Sequence, residues 1–470
     1  MAAADSYDRS KNHLEERLMS WLLRHRLGLY FRNSIWIFPV VSILAGLMAV
    51  SLLHRIEVAL DWRLNIGPDT ARTVISVVAG SMFSLVVVSS SAVLVAVQLA
   101  SAQLTPRIIG FVYRSSARKF SLALFVFTFT FSVAVLVRIE NTVPWLTCYL
   151  AAYGFLVNLA VFLFFIDGMG KMLRPSAVVR DVALTCRKVV RLMYPRPQNT
   201  EHAKPIEEIK SMEEPPTQVV ANVFDGVVLA FDPPGLIALA HRENCLIELV
   251  PEIGEFVAAG SPLFRVFGSQ QTLSEDELRK SVAIGQERTF EQDPMFAFRV
   301  IVDIAAKALS PAINDPTTAV LAIDQLHHLL RDVGGRYLAE GIEKDRQGNA
   351  RLVYRTPNWE DFVHLAVTEI RQYGRDSIQV MRRLRAMLEN LIDTLPALRA
   401  PALENQLRLL GASSQRMFLD IEDRTLAETG DLQGMGGGGH SERRLQANAS
   451  IRSVAVSGGG LSEPVRSTTA

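Results

Sequence analysis

Four long apolar runs without a charged side chain lie before residue 167 and constrain the fold more than any other feature of the 470-residue sequence. Each run is long enough, as an α-helix, to cross a hydrocarbon core of about 30 Å. A buried helix of a water-soluble domain could explain one such run, but four in succession favour membrane spans. The predicted spans are residues 35–53, 73–99, 120–137 and 144–166.

Basic side chains are distributed unequally between the two sides of these spans. Twelve lie in residues 17–34 before the first span, 100–119 in the second loop and 167–187 after the fourth span, whereas the first and third loops hold four. Because Lys and Arg are enriched in cytoplasmic loops, we expect both termini, including residues 1–34, in the cytoplasm. The predicted spans contain no ionisable Asp, Glu, Lys, Arg or His, which argues against a proton relay or an ion-coupled transporter.

The second span differs from the others by a face of small and polar residues. Ser76, Gly80 and Ser84 recur at four-residue spacing and therefore share one helix face. Such a face allows close packing against another helix, or it lines a water-filled path in a homo-oligomer. Both interpretations are open. The third span is rich in phenylalanine and is expected to face lipid.

The loop between the second and third spans is predicted to lie along the inner membrane surface. Thr105 is a good N-cap and Pro106 suits a first helical turn, so a short amphipathic helix is expected after them. Arg107 and Arg114 would then lie near anionic headgroups of the lipid bilayer.

The remainder of the chain has the pattern of a cytoplasmic α+β region. Residues 167–216 are expected to form a helical connector and linker. Short β-type segments in residues 217–268 predict a small β-barrel or sandwich module. Residues 274–428 predict a helical C-terminal domain, ending in two long helices, and the glycine- and serine-rich residues 429–470 predict a disordered tail.

One hairpin of the β module, VPEIGEFVAAGSPLFRV, resembles biotinyl and lipoyl carrier domains. Carriers need a lysine at the hairpin tip, and residues 217–268 contain none, so we expect no such cofactor. The sequence also lacks GxSxG, HExxH, CxxC and a GxGxxG after a strand, and three scattered cysteines favour neither a metal site nor a disulfide framework. We therefore expect neither an enzyme nor a bound metal, and the net charge of +1 argues against nucleic acid as a partner.

A polar corner, ALSPAINDPTTAV at residues 308–320, interrupts the helical region. Pro311 ends one helix, while Asp315 suits the N-cap and Pro316 the first turn of the next, so the corner has an architectural explanation. Asp324 could also pair with His327 or His328 one turn away and orient a metal ligand or a general base. The candidate functional corner comprises Asp303, Asn314, Asp315, Asp324 and His328.

The stretch QDPMFAFRVIVDIAAKALSPAINDPTTAVLAIDQL, together with VAVQLASAQLTPRIIGF, is similar to bacterial predicted membrane proteins grouped as domain of unknown function 2254. The resemblance implies a multi-span protein of the bacterial inner membrane with a cytoplasmic C-terminal domain, and it implies no catalytic residue. Two functions remain open. One is an oligomeric, channel-like or gating protein regulated by its cytoplasmic domain. The other is a non-conducting scaffold or sensor whose cytoplasmic domain binds an unknown ligand or protein.

Overall fold

The computed structural model describes residues 21–32, 34–60, 67–110, 114–140, 143–198, 212, 214–338 and 341–436. Most of the predicted tail, residues 437–470, lies outside the described residues.

Four helices form the membrane region, and all four are long and apolar enough to cross a bilayer. They are α1 (Ile37–Leu60), α2 (Pro68–Gln103), α3 (Ser116–Arg138) and α4 (Trp145–Met172). The prediction of four apolar helices is therefore confirmed. The expectation that the phenylalanines of α3 face lipid is wrong, because α3 packs against α1, α2 and α4 and buries Phe125 and Phe131.

Nine further helices and eight strands follow in the described part of the chain. The helices are α5 (Pro175–Met193), α6 (Pro233–Arg242), α7 (Glu275–Lys280), α8 (Pro294–Ala308), α9 (Pro316–Gly334), α10 (Trp359–Tyr373), α11 (Ile378–Thr394), α12 (Ala400–Met417) and α13 (Ile421–Ala427). The strands are β1 (Gln218–Ala221), β2 (Gly226–Phe231), β3 (Leu246–Leu249), β4 (Phe256–Val257), β5 (Pro262–Phe267), β6 (Val282–Gly285), β7 (Ile342–Lys344) and β8 (Ala350–Tyr354).

The strands form two open sheets, and the described residues contain no closed barrel. One sheet has the order β1-β5-β3-β8-β7 and the other the order β4-β2-β6. Three strands, β6, β7 and β8, come from beyond residue 268, so the sheets extend past the predicted β module. The parallel pairing of β3 with β8, which places Ile247 opposite Leu352, joins segments about a hundred residues apart.

The β-type segment predicted at residues 236–251 is a strand only in its second part, β3, and its first part belongs to α6. Pro233 and Pro234 begin α6, where their missing N–H groups and fixed φ are compatible with a first helical turn. Leu236, Leu239 and Ala240 then recur at helical spacing and are fully buried. The short apolar run there fits both periods, and packing against β8 and β3 selects the helix.

The C-terminal region has more helices than the two that the sequence predicts. A turn at residues 374–377 separates α10 from α11, and Ser377 caps α11 by accepting a hydrogen bond from the Val380 N–H. A second break at residues 395–399 contains Pro396 and precedes α12, whose first turn holds Pro401.

The largest apolar core is shared between the membrane region and the helices that follow it. Ala100, Leu104 and Ile108, at and just beyond the end of α2, are buried in the same cluster as Val179 and Ile301. α5, α8 and α9 supply much of this core. We call the part of the chain from α5 onwards the soluble region. The second membrane helix therefore continues directly into its interior.

Candidate functional site

The polar corner, which we call the SPAINDP corner after residues 310–316, connects α8 to α9 as the sequence predicts. Asp315 accepts a hydrogen bond from the Thr318 N–H at 3.1 Å and another from the Thr318 hydroxyl. Asn314 adopts a left-handed conformation with φ of 47°, which asparagine tolerates better than most residues, and its N–H donates to Ser310 O at 2.8 Å. Thus Asp315 caps α9, while the exposed Asn314 side chain faces outward.

The described residues do not form the predicted pair of Asp324 with His327 or His328. Asp324 instead accepts a hydrogen bond from Nε of Arg383 on α11 at 2.6 Å. Arg383 also lies 3.1 Å from Nδ1 of His327, whose Nε2 lies 2.9 Å from the side-chain oxygen of Asn390. Burial lowers the pKa of His327, so a neutral ring that accepts from Arg383 and donates to Asn390 fits these contacts.

His328 remains exposed, with its ring stacked beside that of His327 at a centroid distance of 6.4 Å. The described residues contain no group of three or more side chains able to hold a metal ion. Asp324 and His327 thus both contact Arg383 of α11 rather than each other.

Asp303 lies at the contact between the soluble helices and the end of α2. It accepts a hydrogen bond from Nε of Arg299 at 2.7 Å and forms an ion pair with Arg107. One turn further along α8, Lys307 Nζ donates to Ser101 O at 3.0 Å, in the last turn of α2. We call Arg107, Asp303 and Lys307, with Ser101, the α2–α8 contact.

The sequence predicts that Arg107 and Arg114 of the second loop lie near lipid headgroups. In the structure both also contact carboxylates of the soluble region. Thr105 accepts from the Arg107 N–H as the predicted cap, and a short 3₁₀ turn, Pro106–Ile108, follows it. The rest of the predicted amphipathic helix lies partly outside the described residues. Arg107 pairs with Asp303, and Arg114 lies 3.9 Å from Glu291 with its guanidinium over the ring of Phe290. Carboxylates of the soluble region take up these positive charges.

The small-residue face of α2 is exposed along its whole length. A Cβ added at Gly80 would meet nothing within 4 Å, and Ser76 and Ser84 are exposed. Their hydroxyls donate within the helix, to Thr73 O at 2.8 Å and Gly80 O at 3.1 Å. Packing within one copy of the chain therefore does not use this face.

Nearer the soluble region, the exposed side of α2 borders a groove against α4. Its volume is about 570 Å³. Val88, Ser91 and Val95 of α2 line one side, and Ile166 and Met169 of α4 line the other. The lining is almost entirely apolar, as expected for a surface that meets lipid or another helix.

A larger, mixed cleft of about 630 Å³ lies in the soluble region, between the five-stranded sheet and the start of α10. Arg399 lines it with its guanidinium over the Trp359 ring, and its Nη2 donates to Gln198 at 3.0 Å. Burial lowers the pKa of Arg399 and raises the pKa of Glu252, which also lines the cleft. Glu248, Glu360 and the exposed Arg355 are the other charged residues of the lining.

Sequence reasoning missed this cleft because its walls come from five separate segments of the chain. Glu252, Arg355 and Arg399 have no common spacing or motif, and only the parallel pairing of β3 with β8 brings the first two together. The cleft is also separate from the SPAINDP corner, so the structure does not bring the predicted candidate residues into one site.

Comparison with known proteins agrees with the membrane architecture. The family described as predicted membrane protein, domain of unknown function 2254, matches residues 32–390. Uncharacterized proteins of Mycobacterium tuberculosis and Mycobacterium bovis are each 26% identical over 420 residues, covering 84% of this chain and 79% of theirs. No solved structure matches the chain.

Proposed function

Since the chain belongs to the family of predicted membrane proteins grouped as domain of unknown function 2254, we propose that it is a homo-oligomeric, channel-like protein gated by its soluble domain. In this proposal α2 forms the contact between copies and borders the path. One observation carries it: α2 leaves its Ser76–Gly80–Ser84 face exposed while its far end is buried in the soluble core.

The exposed face is suited to close approach between helices. Gly80 and the two serines carry small side chains, and small residues allow helix backbones to pack closely within a bilayer. The serine hydroxyls already donate within the helix, so they can meet an apolar partner without losing a hydrogen bond. Rotation of the helix would instead turn the same face towards water.

The length of α2 provides the link to the soluble domain. Its 36 residues span about 54 Å at 1.5 Å per residue, well beyond a hydrocarbon core of about 30 Å. Beyond the bilayer it is held by buried Leu104 and Ile108 and by the α2–α8 contact. A shift of the soluble helices would therefore displace α2, as expected for a gate.

The proposal places the protein in the bacterial cytoplasmic membrane with both termini inside. The excess of Lys and Arg on one side of the spans supports this orientation.

A second candidate function is a non-conducting scaffold or sensor that binds a ligand or a protein with its soluble domain. The 630 Å³ cleft favours it, because a concave site with a few desolvated charged groups is typical of ligand binding. Both candidates predict contact with the bilayer, and only the first requires ion flux through an oligomer.

The proposal is tested with Gly80→Leu, which changes the exposed face and leaves the packing of one copy intact, because a Cβ there has open space. Ser84→Cys provides the cross-linking site, and Leu163→Cys, on the exposed surface of α4, provides its matched control. All three native cysteines are buried and should stay silent.

We expect Ser84→Cys to form disulfide-linked dimers in membranes and Leu163→Cys to form none. The protein mass in detergent should be at least twice the 52.1 kDa of one chain. Gly80→Leu should reduce both the oligomer and the ion flux into liposomes. A monomer in detergent and in membranes would refute the proposal. A cross-linked oligomer without flux would favour the scaffold or sensor.

A further inference from the structure

Residues 21–32, WLLRHRLGLYFR, are helical and carry two apolar faces that point in opposite directions. At 3.6 residues per turn, Trp21, Leu22 and Leu29 fall on one face, together with His25. The opposite face carries an exposed apolar stripe of Leu23, Leu27, Tyr30 and Phe31, each 46 to 57% exposed.

The first face attaches the helix to the soluble domain. Trp21, Leu22 and Leu29 pack against the three-stranded sheet at Leu229 and Ala283. The His25 ring stacks on Trp21 at 5.3 Å, and burial lowers the pKa of His25, which favours the neutral ring that an apolar contact needs.

The stripe on the other face is bordered by positive charge. Arg24 follows Leu23 on one side of the stripe, and Arg26 precedes Leu27 on the other side. Both are exposed. Long basic side chains on both edges of an apolar face are typical of helices that lie in a membrane interface, where the stems contact apolar surface and the guanidinium groups reach phosphates.

The end of this helix is held at the level where the membrane helices begin. Lys119, in the first turn of α3, donates to Phe31 O at 3.0 Å and to Arg32 O at 2.7 Å. Tyr30 meets Trp36 edge-on at a ring distance of 6.3 Å, and α1 begins at Ile37. Tryptophan and tyrosine are enriched at this depth of a bilayer.

We propose that residues 21–32 are a lipid-surface helix, which inserts its exposed stripe into the leaflet beside the soluble domain and places Arg24 and Arg26 at anionic phospholipid headgroups. The occupant is a bilayer rather than a second copy because the stripe is continuous, through Tyr30 and Trp36, with the exposed surface of α1. The helix thereby ties the three-stranded sheet to the membrane surface.

Insertion is tested on full-length protein in nanodiscs with an environment-sensitive fluorophore at Leu27→Cys. Leu27 is exposed, so the label does not enter the core. The control label is at Arg346→Cys, in the exposed turn between β7 and β8. We expect lipids that carry a nitroxide below the headgroup to quench the Leu27 label several-fold more than the control label.

Equal quenching of the two labels would overturn the proposal. Disulfide cross-linking of Leu27→Cys between copies, with little quenching by lipid, would also overturn it and assign the stripe to a second chain. Neither result depends on whether the protein conducts ions, so this test can fail while the proposed function stands.

The headgroup part is tested by replacing phosphatidylcholine with phosphatidylglycerol. We expect the anionic lipid to increase quenching at Leu27, Arg26→Gln to reduce that increase, and Arg26→Lys to retain it. No response of the parent protein to the anionic lipid would overturn the assignment of the arginines to headgroups.

Discussion

Replacing Asp315 separates architecture from function at the SPAINDP corner. Asp315→Ala removes the N-cap of α9, which costs about 1 kcal/mol, and leaves the buried Thr318 hydroxyl without its acceptor, which costs about 1 kcal/mol more. We expect the free energy of unfolding to fall by about 2 kcal/mol. Asp315→Ser should recover about half of this, because a serine hydroxyl can accept from the Thr318 N–H.

The buried cysteines make this change measurable in detergent without isolating a fragment. Cys186 is fully buried in the core that α9 helps to form, and Cys245 is buried in the sheet region. Burial raises the pKa of both thiols, that of Cys245 to about 12, so they should react with a thiol-specific dye only after unfolding. A loss of 2 kcal/mol corresponds to roughly 4–8 °C for a soluble region of this size.

The control is Asp376→Ala, which changes an exposed aspartate in the turn before α11 and should leave the melting temperature unchanged. If Asp315→Ala melts with the parent, or Asp315→Ser is no better than Ala, the capping argument is refuted. If Ser recovers the expected half of the stability while the phenotype of cells that carry the variant stays impaired, the corner is a site. The exposed Asn314 and His328 are then the next residues to change.

Three further predictions follow from the α2–α8 contact, its neighbours and the topology. Asp303→Asn and Arg107→Gln should each increase amide exchange at the end of α2. A double-mutant cycle should give a coupling of about 0.5 kcal/mol, because the Arg107 side chain is 49% exposed. Additive effects would show that the ion pair contributes nothing. A hydrogen bond from Arg299 lowers the pKa of Glu369 below its usual 4.5. The stabilisation that ionised Glu369 contributes is therefore complete above pH 4.5 and is lost as the pH falls through the lowered pKa. Glu369→Gln should flatten the acid limb of the thermal stability curve. A reporter that functions only in the cytoplasm should work when fused at Gly430 and fail in the first loop, and the reverse result would contradict the proposed topology.

Local patterns were sufficient for those parts of the protein whose stability depends on neighbours in the chain. The four membrane helices follow from the length of uncharged runs, because a bilayer requires each span to satisfy its own backbone hydrogen bonds. The Asp315 cap follows from a side chain and an N–H three residues apart. The four-residue spacing likewise predicts that Ser76, Gly80 and Ser84 share one face of α2. It does not predict that this face is exposed.

Tertiary contacts decided what local patterns left open. Asp324 could reach a histidine along its own helix, yet a buried guanidinium on α11 is a stronger partner for a carboxylate. The phenylalanines of α3 are as apolar as lipid tails, so only packing shows that Phe125 and Phe131 face other helices. The parallel pairing of β3 with β8 places Glu252 and Arg355 in one cleft, because long-range pairing depends on the whole chain and leaves no periodic signal in either segment.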